Sequence, residues 1–290
     1  MKQFLIRSGL GNFMSLNLID TDSTKKMLSD AFARDDSSIG LLALCASTLE
    51  YPQLDISLEV KSLEELATVA HRRLAMEKGN LAKINILSEY LFDEVGFSGN
   101  RVDYYNPKNS YLHLVLARRM GIPLLLSILY MDVAYKVGIK CLGIGSPGHF
   151  LVAAPVEDEW VYIDAFNKGV IMEEVETKAF LTEILPKDQS WQEVFLDPVS
   201  NREIVSRIYR NLKHVYITSN QLEKAYSMID LLVWLQPDDV DEVRDRGILG
   251  VQLGMSDQSL IDLKRYMSHN PVGRAAIDAQ SLIEYLENKS

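Results

Sequence analysis

The stretch NSYLHLVLARRMGIPLLLSILYMDVAYKV, residues 109–137, decides the fold. Its second half begins at Pro123, which stands at the first helical position, where proline is best tolerated. The residues that follow are apolar on nearly every side, so this helix is predicted to be central and buried. Asn109 or Ser110 is placed to cap a shorter helix before it, with Gly121 at that helix's C-terminal end.

The sequence on either side of this helix differs in period. Upstream, residues 23–95 repeat apolar side chains at helical spacing, and a capping-box pattern at Ser62 predicts a helix start. Downstream, turn-forming residues separate three short predicted strands, residues 140–145, 149–154 and 160–166. Helices followed by a small antiparallel sheet predict an α+β domain.

The last third of the chain contains a repeat. Pro237 and Pro271 stand 34 positions apart, and each closes a pair of predicted helices, which is typical of tetratricopeptide repeats. We expect an unassigned N-terminal segment at 1–20, a core domain at 21–200 and a helical repeat domain at 201–290. Two repeats and a final helix are fewer than the roughly three modules that stand alone, so they are predicted to pack on the core.

Composition excludes several classes of protein. The 290 residues carry 30 Lys and Arg against 40 Asp and Glu, a net charge of −10, which disfavours a nucleic-acid partner. No stretch approaches the roughly 20 apolar residues of a membrane-spanning helix. The only two cysteines, Cys45 and Cys141, indicate a reducing compartment. We therefore expect a cytoplasmic protein that neither crosses a membrane nor binds nucleic acid.

Two motifs that suggest cofactors do not fit their surroundings. Residues 143–148, GIGSPG, match GxGxxG, but a predicted strand follows where a dinucleotide site needs a helix. A tight turn between strands is the better interpretation. The five histidines are scattered without metal-ligand spacing. The sequence therefore predicts no cofactor and no metal.

His149 opens one predicted strand and Asp164 lies on the next. If these strands pair through a four-residue loop, both side chains share one face, close enough for the carboxylate to orient the imidazole; a three- or five-residue loop separates them. The pair is then the second half of a Cys-His-Asp or Ser-His-Asp arrangement. The alternative is a hydrogen bond that only ties two strands together.

A thiol at the start of the buried helix would complete such a triad, because the helix N-terminus lowers its pKa. The residue there is Pro123. Ser127, one turn further on the same side, is an alternative nucleophile, or a hydroxyl bonded to a backbone carbonyl. Cys45 and Cys141 are interpreted as inert packing residues.

Several segments together resemble the bacterial SirB-type transglutaminase-like family, which also carries tetratricopeptide-like repeats. They are EYPQLD (50–55), LFDEVGFSGN (91–100), NSYL (109–112), VLARRMGIP (115–123), PGHFLV (147–152) and IDAF (163–166). The resemblance implies a papain-like transglutaminase core in which His149 and Asp164 match the family's His and Asp. Enzymatic relatives start the helix with Gly-x-Cys, whereas this chain has Gly121-Ile122-Pro123.

These observations predict a regulatory or protein-binding module with a degenerate, cysteine-less triad, acting on a protein or peptide partner. Asn109, Ser110 and Pro123 are predicted to line the cleft beside His149. A rival hypothesis is an acyl-transfer enzyme or amide hydrolase that uses His149 and Asp164 with Ser127 or water as nucleophile. A third is a peptide-binding scaffold built from residues 201–290, which needs a free concave groove.

Overall fold

The computed structural model describes residues 18–187 and 189–289, so the predicted segment 1–20 lies outside the described residues except for its last three. The α-helices are α1 (Asp22–Phe32), α2 (Ile39–Ser47), α3 (Ile56–Leu74), α4 (Asn80–Ser88), α5 (Leu112–Arg118), α6 (Pro123–Lys136), α7 (Glu174–Ile184), α8 (Asn201–Thr218), α9 (Leu222–Leu235), α10 (Val240–Gln252), α11 (Ser256–Met267) and α12 (Arg274–Lys289). The strands are β1 (Ser98–Gly99), β2 (Met120–Gly121), β3 (Leu142–Ile144), β4 (Leu151–Val156), β5 (Glu159–Asp164) and β6 (Val170–Met172). A π-helical turn, Glu89–Glu94, continues α4, and 3-10 turns occupy Pro107–Ser110, Ala165–Asn167 and Glu193–Leu196. We call α8–α12 the tail and the elements before α8 the core.

Helix α6 lies at the centre of the core, as its sequence predicts. Pro123 is its first residue, and every side chain from Pro123 to Ala134 is buried. Such a helix must be covered on all sides, and it packs against α2, α3, α8 and the strand β4. Helices packed on a small antiparallel sheet confirm the predicted α+β class.

The sheet has the strand order β3-β4-β5-β6, and all its neighbours are antiparallel. Strands β4 and β5 meet at the two-residue turn Glu157-Asp158, where Glu157 adopts the left-handed conformation (φ 53°). Pro155 pairs with Trp160 and Val156 with Glu159, so the loop has two residues and not four; both even lengths keep the same residues on one face. The sequence did not predict β6, because three residues are too few to show an alternating pattern.

Three helix boundaries differ from the prediction, one in α3 and two in α5. Helix α3 begins at Ile56, and the carboxylate of Asp55 caps it by accepting from the backbone of Leu58 (3.2 Å). The capping box at Ser62 is therefore wrong, since this residue lies inside the helix and its hydroxyl donates to the Leu58 carbonyl. The helical period already starts six residues before Ser62, and an Asp at the true N-cap satisfies the free amide.

The short helix α5 also ends differently from the prediction. Tyr111 precedes it and no side chain caps it, so the predicted cap by Asn109 or Ser110 is wrong. Arg119, not Gly121, takes the left-handed conformation at its C-terminus (φ 54°). Gly121 instead belongs to β2, where it pairs in parallel with Gly99. This two-residue pairing places the loop that follows residue 99 next to the start of α6.

The tail packs directly on the core, as the shortness of the repeat predicts. Tyr209 on α8 donates to the carbonyl of Ala46 (3.2 Å), and the hydroxyls of Tyr111 and Tyr216 lie 3.1 Å apart. The side chains of α8 and α9 share one apolar cluster with the core. Helices α11 and α12 form a separate cluster around Leu263. No helix among the described residues has the length and apolar character needed to span a membrane.

Candidate functional site

The structure places His149 and Asp164 in direct contact. His149 lies two residues before β4, and Asp164 is the last residue of β5, so the register continued beyond Leu151 makes them diagonal neighbours on one face of the sheet. His149 Nε2 lies 2.9 Å from Asp164 Oδ2. Both residues are buried, with Asp164 only 1% exposed. The predicted contact between these two side chains is present, but the prediction that His149 opens the strand is wrong, because β4 begins at Leu151.

The Asp164 carboxylate accepts hydrogen bonds on both oxygens. Oδ1 accepts from the backbone amides of Phe166 (3.0 Å) and Asn167 (3.1 Å), and Oδ2 accepts from the side-chain amide of Asn167 (2.7 Å) as well as contacting His149. Burial alone raises the pKa of Asp164, but the hydrogen bond and charge of His149 and the bonds from Asn167 outweigh it. They hold this pKa below its ordinary value. The carboxylate is therefore ionised and fixed in orientation.

The His149 ring has one nitrogen without a partner. Asp164 occupies Nε2, and among the residues that the structure describes no hydrogen-bonding group contacts Nδ1. The ring edges pack against Phe166 (centroids 6.3 Å apart) and Phe180 (5.4 Å). An Asp–His pair of this kind leaves Nδ1 as the atom that can take or donate a proton.

The first turns of α6 lie beside the start of β4. The hydroxyl of Ser127 donates to the carbonyl of Phe150 (3.4 Å), the residue after His149, and Ser127 is fully buried. Pro123 precedes Ser127 by one turn on the same side of the helix and is buried too. The alternative interpretation expected a bond back to a carbonyl of the same helix, whereas the acceptor is Phe150, 23 residues further along the chain. No hydrogen bond joins Ser127 to His149 among the described residues.

The two thiols are far from activated. Both cysteines are free, Cys45 in α2 and Cys141 just before β3. Burial raises the pKa of the Cys45 thiol to about 11 and that of Cys141 to about 12. Thiols with such pKa values are protonated near neutral pH and are poor nucleophiles.

The predicted cleft residues Asn109 and Ser110 are both buried in the turn before α5. The amide of Asn109 donates to the carbonyls of Asp103 (2.7 Å) and Tyr104 (3.2 Å) and accepts from Asn100 (3.1 Å). Its polar atoms are therefore used to hold the loop together. A role in lining a cleft beside His149 stays a prediction.

Asn167 is a site residue that sequence reasoning missed. It fixes Asp164 from one side and accepts from the guanidinium of Arg101 on the other. The signal was the spacing Asp164-x-x-Asn167, in which the carboxylate caps a 3-10 turn. For metal binding, no group of three His, Cys, Asp or Glu side chains comes together within residues 18–187 and 189–289.

A buried His–Asp contact at the end of two antiparallel strands, with a central buried helix packed on the sheet and helical repeats after it, is typical of a transglutaminase-like protein with a repeat tail. Comparison of the sequence with family models agrees: residues 59–210 match the transglutaminase-like superfamily and residues 212–286 match the tetratricopeptide repeat. The chain belongs to the transglutaminase-like superfamily.

Individual relatives share this architecture over most of the chain. A UPF0162 protein of Xylella fastidiosa strain Temecula1 is 36% identical over 245 residues, covering 82% of this chain and 86% of the relative. F-box only protein 21 of Pongo abelii is 26% identical over 270 residues, covering 81% of this chain and 42% of that protein. A crystal structure of menin aligns with 95% of this chain and 68% of its own, at 12% identity and a TM-score of 0.49, which is too low to bear on function.

Proposed function

We propose that this protein is a regulatory or protein-binding module built on a transglutaminase-like core whose triad lacks its nucleophile. The observation that carries the proposal is Pro123, buried at the first position of α6, beside an intact pair of His149 and Asp164. Proline has no side-chain group that can attack an acyl carbon. The acid–base half of the site is kept while its nucleophilic half is missing.

The other nucleophiles of the core support the same interpretation. The Ser127 hydroxyl is buried and bonded to a carbonyl, so it lacks the base contact that activates a serine. The pKa values of both thiols are raised by burial. The rival, a hydrolase that activates water through His149, needs an open cleft. Phe166 and Phe180 pack against the ring, and His149 is only 9% exposed, which argues against an open cleft.

We propose a protein or peptide partner, because tetratricopeptide repeats are typical protein-binding modules. The scaffold hypothesis for residues 201–290 is weakened on one side, since the apolar faces of α8 and α9 are packed on the core. We further propose a cytoplasmic location, consistent with two free cysteines, and no nucleic-acid partner, consistent with the net charge of −10. The division into 21–200 and 201–290 remains our proposal for the domains.

The first test is an assay for residual chemistry. Purified full-length protein is incubated with a glutaminyl peptide, with and without a primary amine, and ammonia release is measured against His149→Ala. We expect no release above buffer for either protein. Turnover by the wild type that His149→Ala abolishes would overturn the proposal and establish the rival enzyme.

A second test asks whether the site is degenerate only at the nucleophile. In Pro123→Cys the thiol lies at a helix N-terminus, where the pKa of thiols falls below about 7.5. We expect iodoacetamide to alkylate this variant near pH 6.5. The double variant that also carries His149→Ala should react more slowly. The matched control is Ala134→Cys, buried near the C-terminal end of the same helix. Mass spectrometry identifies the alkylated cysteine in each variant. Equal alkylation rates for P123C and A134C would contradict the assigned geometry.

A further inference from the structure

The loop that follows β1 presents apolar side chains to solvent. Val102 is fully exposed, Tyr105 is 64% exposed and Tyr104 is 38% exposed. Single exposed apolar residues are ordinary, but three within four consecutive positions form a patch typical of an interaction surface. The rings of Tyr104 and Tyr105 stand edge to face, with centroids 5.3 Å apart.

This loop is held in one conformation by two buried asparagines. Asn109 donates to the carbonyls of Asp103 and Tyr104, and its oxygen accepts from the amide of Asn100. The oxygen of Asn100 in turn accepts from the backbone of Asp103 (3.0 Å). Because the backbone of the loop is already ordered, the loop loses little conformational entropy when a partner binds to its exposed side chains.

Several cations in the loop or next to it have no carboxylate partner among the described residues. Arg101 and Lys108 lie in the loop, and Arg118 donates to the Asn109 oxygen (3.2 Å), which brings the end of α5 and the exposed Arg119 beside the loop. In the part of the chain that the structure describes, none of these four side chains has a carboxylate within 4 Å. The neighbouring acid is Asp103, whose carboxylate accepts from Asn106 (2.7 Å).

This excess of positive charge is unusual in a chain whose net charge is −10. In the tail, by contrast, Arg210 contacts Glu203, Asp239 and Glu242, so its charge is matched locally. A rigid loop with exposed aromatic rings and unmatched cations is complementary to a segment that carries carboxylates and apolar side chains.

The loop is also continuous with the His149 site. Arg101 donates to the Asn167 oxygen, and the Asn167 amide donates to the carboxylate of Asp164 that contacts His149. The Tyr104 ring packs edge-on against Phe166 (centroids 6.0 Å apart), which itself covers His149. A partner on the loop therefore sits over the hydrogen-bond chain that orients the His–Asp pair.

We infer that residues 101–108, together with Arg118 and Arg119, form a docking surface for an acidic segment of a partner protein. Carboxylates of that segment meet Lys108 and Arg119, and its apolar side chains pack on Tyr104 and Tyr105. The inference rests on the proposed binding function and names the chemistry of its partner.

The test measures binding of a fluorescein-labelled copolymer of Glu and Tyr to full-length protein by fluorescence anisotropy. The variant is Lys108→Glu with Arg119→Asp, since Asp tolerates the left-handed backbone at position 119. We expect wild-type binding that weakens as salt is added and at least a tenfold, or roughly 1.4 kcal/mol, weaker affinity for the variant. The matched control is Lys26→Glu with Lys61→Glu, two exposed lysines on α1 and α3, which is expected to bind like the wild type.

Three results would overturn the inference. The first is that the K108E/R119D variant binds the copolymer as tightly as the wild type, or that the control pair of substitutions weakens binding as much as this variant does. The second is displacement of the copolymer by a single-stranded DNA oligonucleotide of equal charge at lower concentration, which indicates a phosphate ligand. The third is a wild-type dimer in sedimentation velocity that K108E/R119D disperses, which makes the occupant a second copy. Ammonia release in the assay above would overturn the proposed function alone, because it leaves these binding results unchanged.

Discussion

The core and the tail each bury a carboxylate against a nitrogen-bearing side chain, and the two pairs differ in what remains unbonded. In the tail, Arg246 directs Nε and Nη2 at Asp262 (2.8 Å each) and Nη1 at Asp230 (2.7 Å). In the core, Asp164 occupies one nitrogen of His149 and no described residue bonds to the other.

The difference lies in the hydrogen-bonding capacity that each pair keeps. A bidentate guanidinium whose nitrogens all reach carboxylates can only hold its helices together. An oriented imidazole with a free nitrogen keeps the capacity for another hydrogen bond, which is what ligand binding or acid–base chemistry requires. Burial and a short distance are common to both pairs, so neither identifies a functional site by itself.

The largest expected effect is the loss of the tail pair. Asp262→Ala removes two of the carboxylate contacts of Arg246, and breaking a buried pair from one side typically costs 3–5 kcal/mol. We expect about 3 kcal/mol less free energy of unfolding in urea, since Arg246 keeps Asp230. The control is Asp278→Ala, which breaks the exposed pair with Arg274 and should cost less than about 1 kcal/mol. Equal costs would show that the tail pair is no more structural than a surface contact.

Substitution of the core carboxylate should cost less and depend on pH. Asp164→Asn keeps an oxygen for the backbone amides but loses the charge-assisted bond to His149, worth about 2 kcal/mol at pH 7. Because the folded pKa of Asp164 lies below its ordinary value, its contribution is present above the unfolded pKa of about 3.9 and is lost as pH falls through the folded pKa. The wild type and D164N should therefore converge in unfolding free energy below about pH 4.

The matched control for this substitution is Asp158→Asn, an exposed residue in the turn between β4 and β5. It should change stability by no more than about 0.5 kcal/mol. A gap between wild type and D164N that persists unchanged at the acid end would show that packing, and not the charge of Asp164, stabilises the site.

The smallest effect is expected where core and tail meet. Tyr111→Phe and Tyr216→Phe each remove one partner of a buried hydroxyl pair and should cost about 1 kcal/mol. The double variant should cost less than the sum, with a coupling of at least about 0.5 kcal/mol in urea unfolding. Tyr135→Phe, an exposed ring on α6, is the control. Additive losses would mean that this contact does not join the two regions.

What could be predicted from the sequence was local. The apolar run after Pro123 predicts a buried helix from local sequence alone. The polar residues at 157–159 predict the turn that sets the register of the strands near His149 and Asp164. Helix ends were predicted less well, because Ser62 and Gly121 match end signals that Asp55 and Arg119 satisfy instead. Short signals of that kind recur by chance along a chain.

The rest of the site depends on contacts between distant residues. Arg101 reaches Asn167 across 66 positions, and the covering of His149 by Phe180 arises from how α7 packs on the sheet. Likewise, composition cannot distinguish the cations near the loop, which have no carboxylate partner, from the arginines of the tail, which contact carboxylates. Pairing of charges is a property of the folded surface.

One further contact bears on how such a chain can be assembled from parts. Arg207, on α8, donates to the carbonyls of Gly145 (2.8 Å), Ser146 (2.9 Å) and His149 (3.2 Å), so a residue of the tail closes the turn that presents the imidazole. A gene fragment cut at codon 200 would encode the strands of the site without the hydrogen bonds from Arg207. A tail taken from another protein would hold this turn in the same way only if it placed a guanidinium at the position of Arg207.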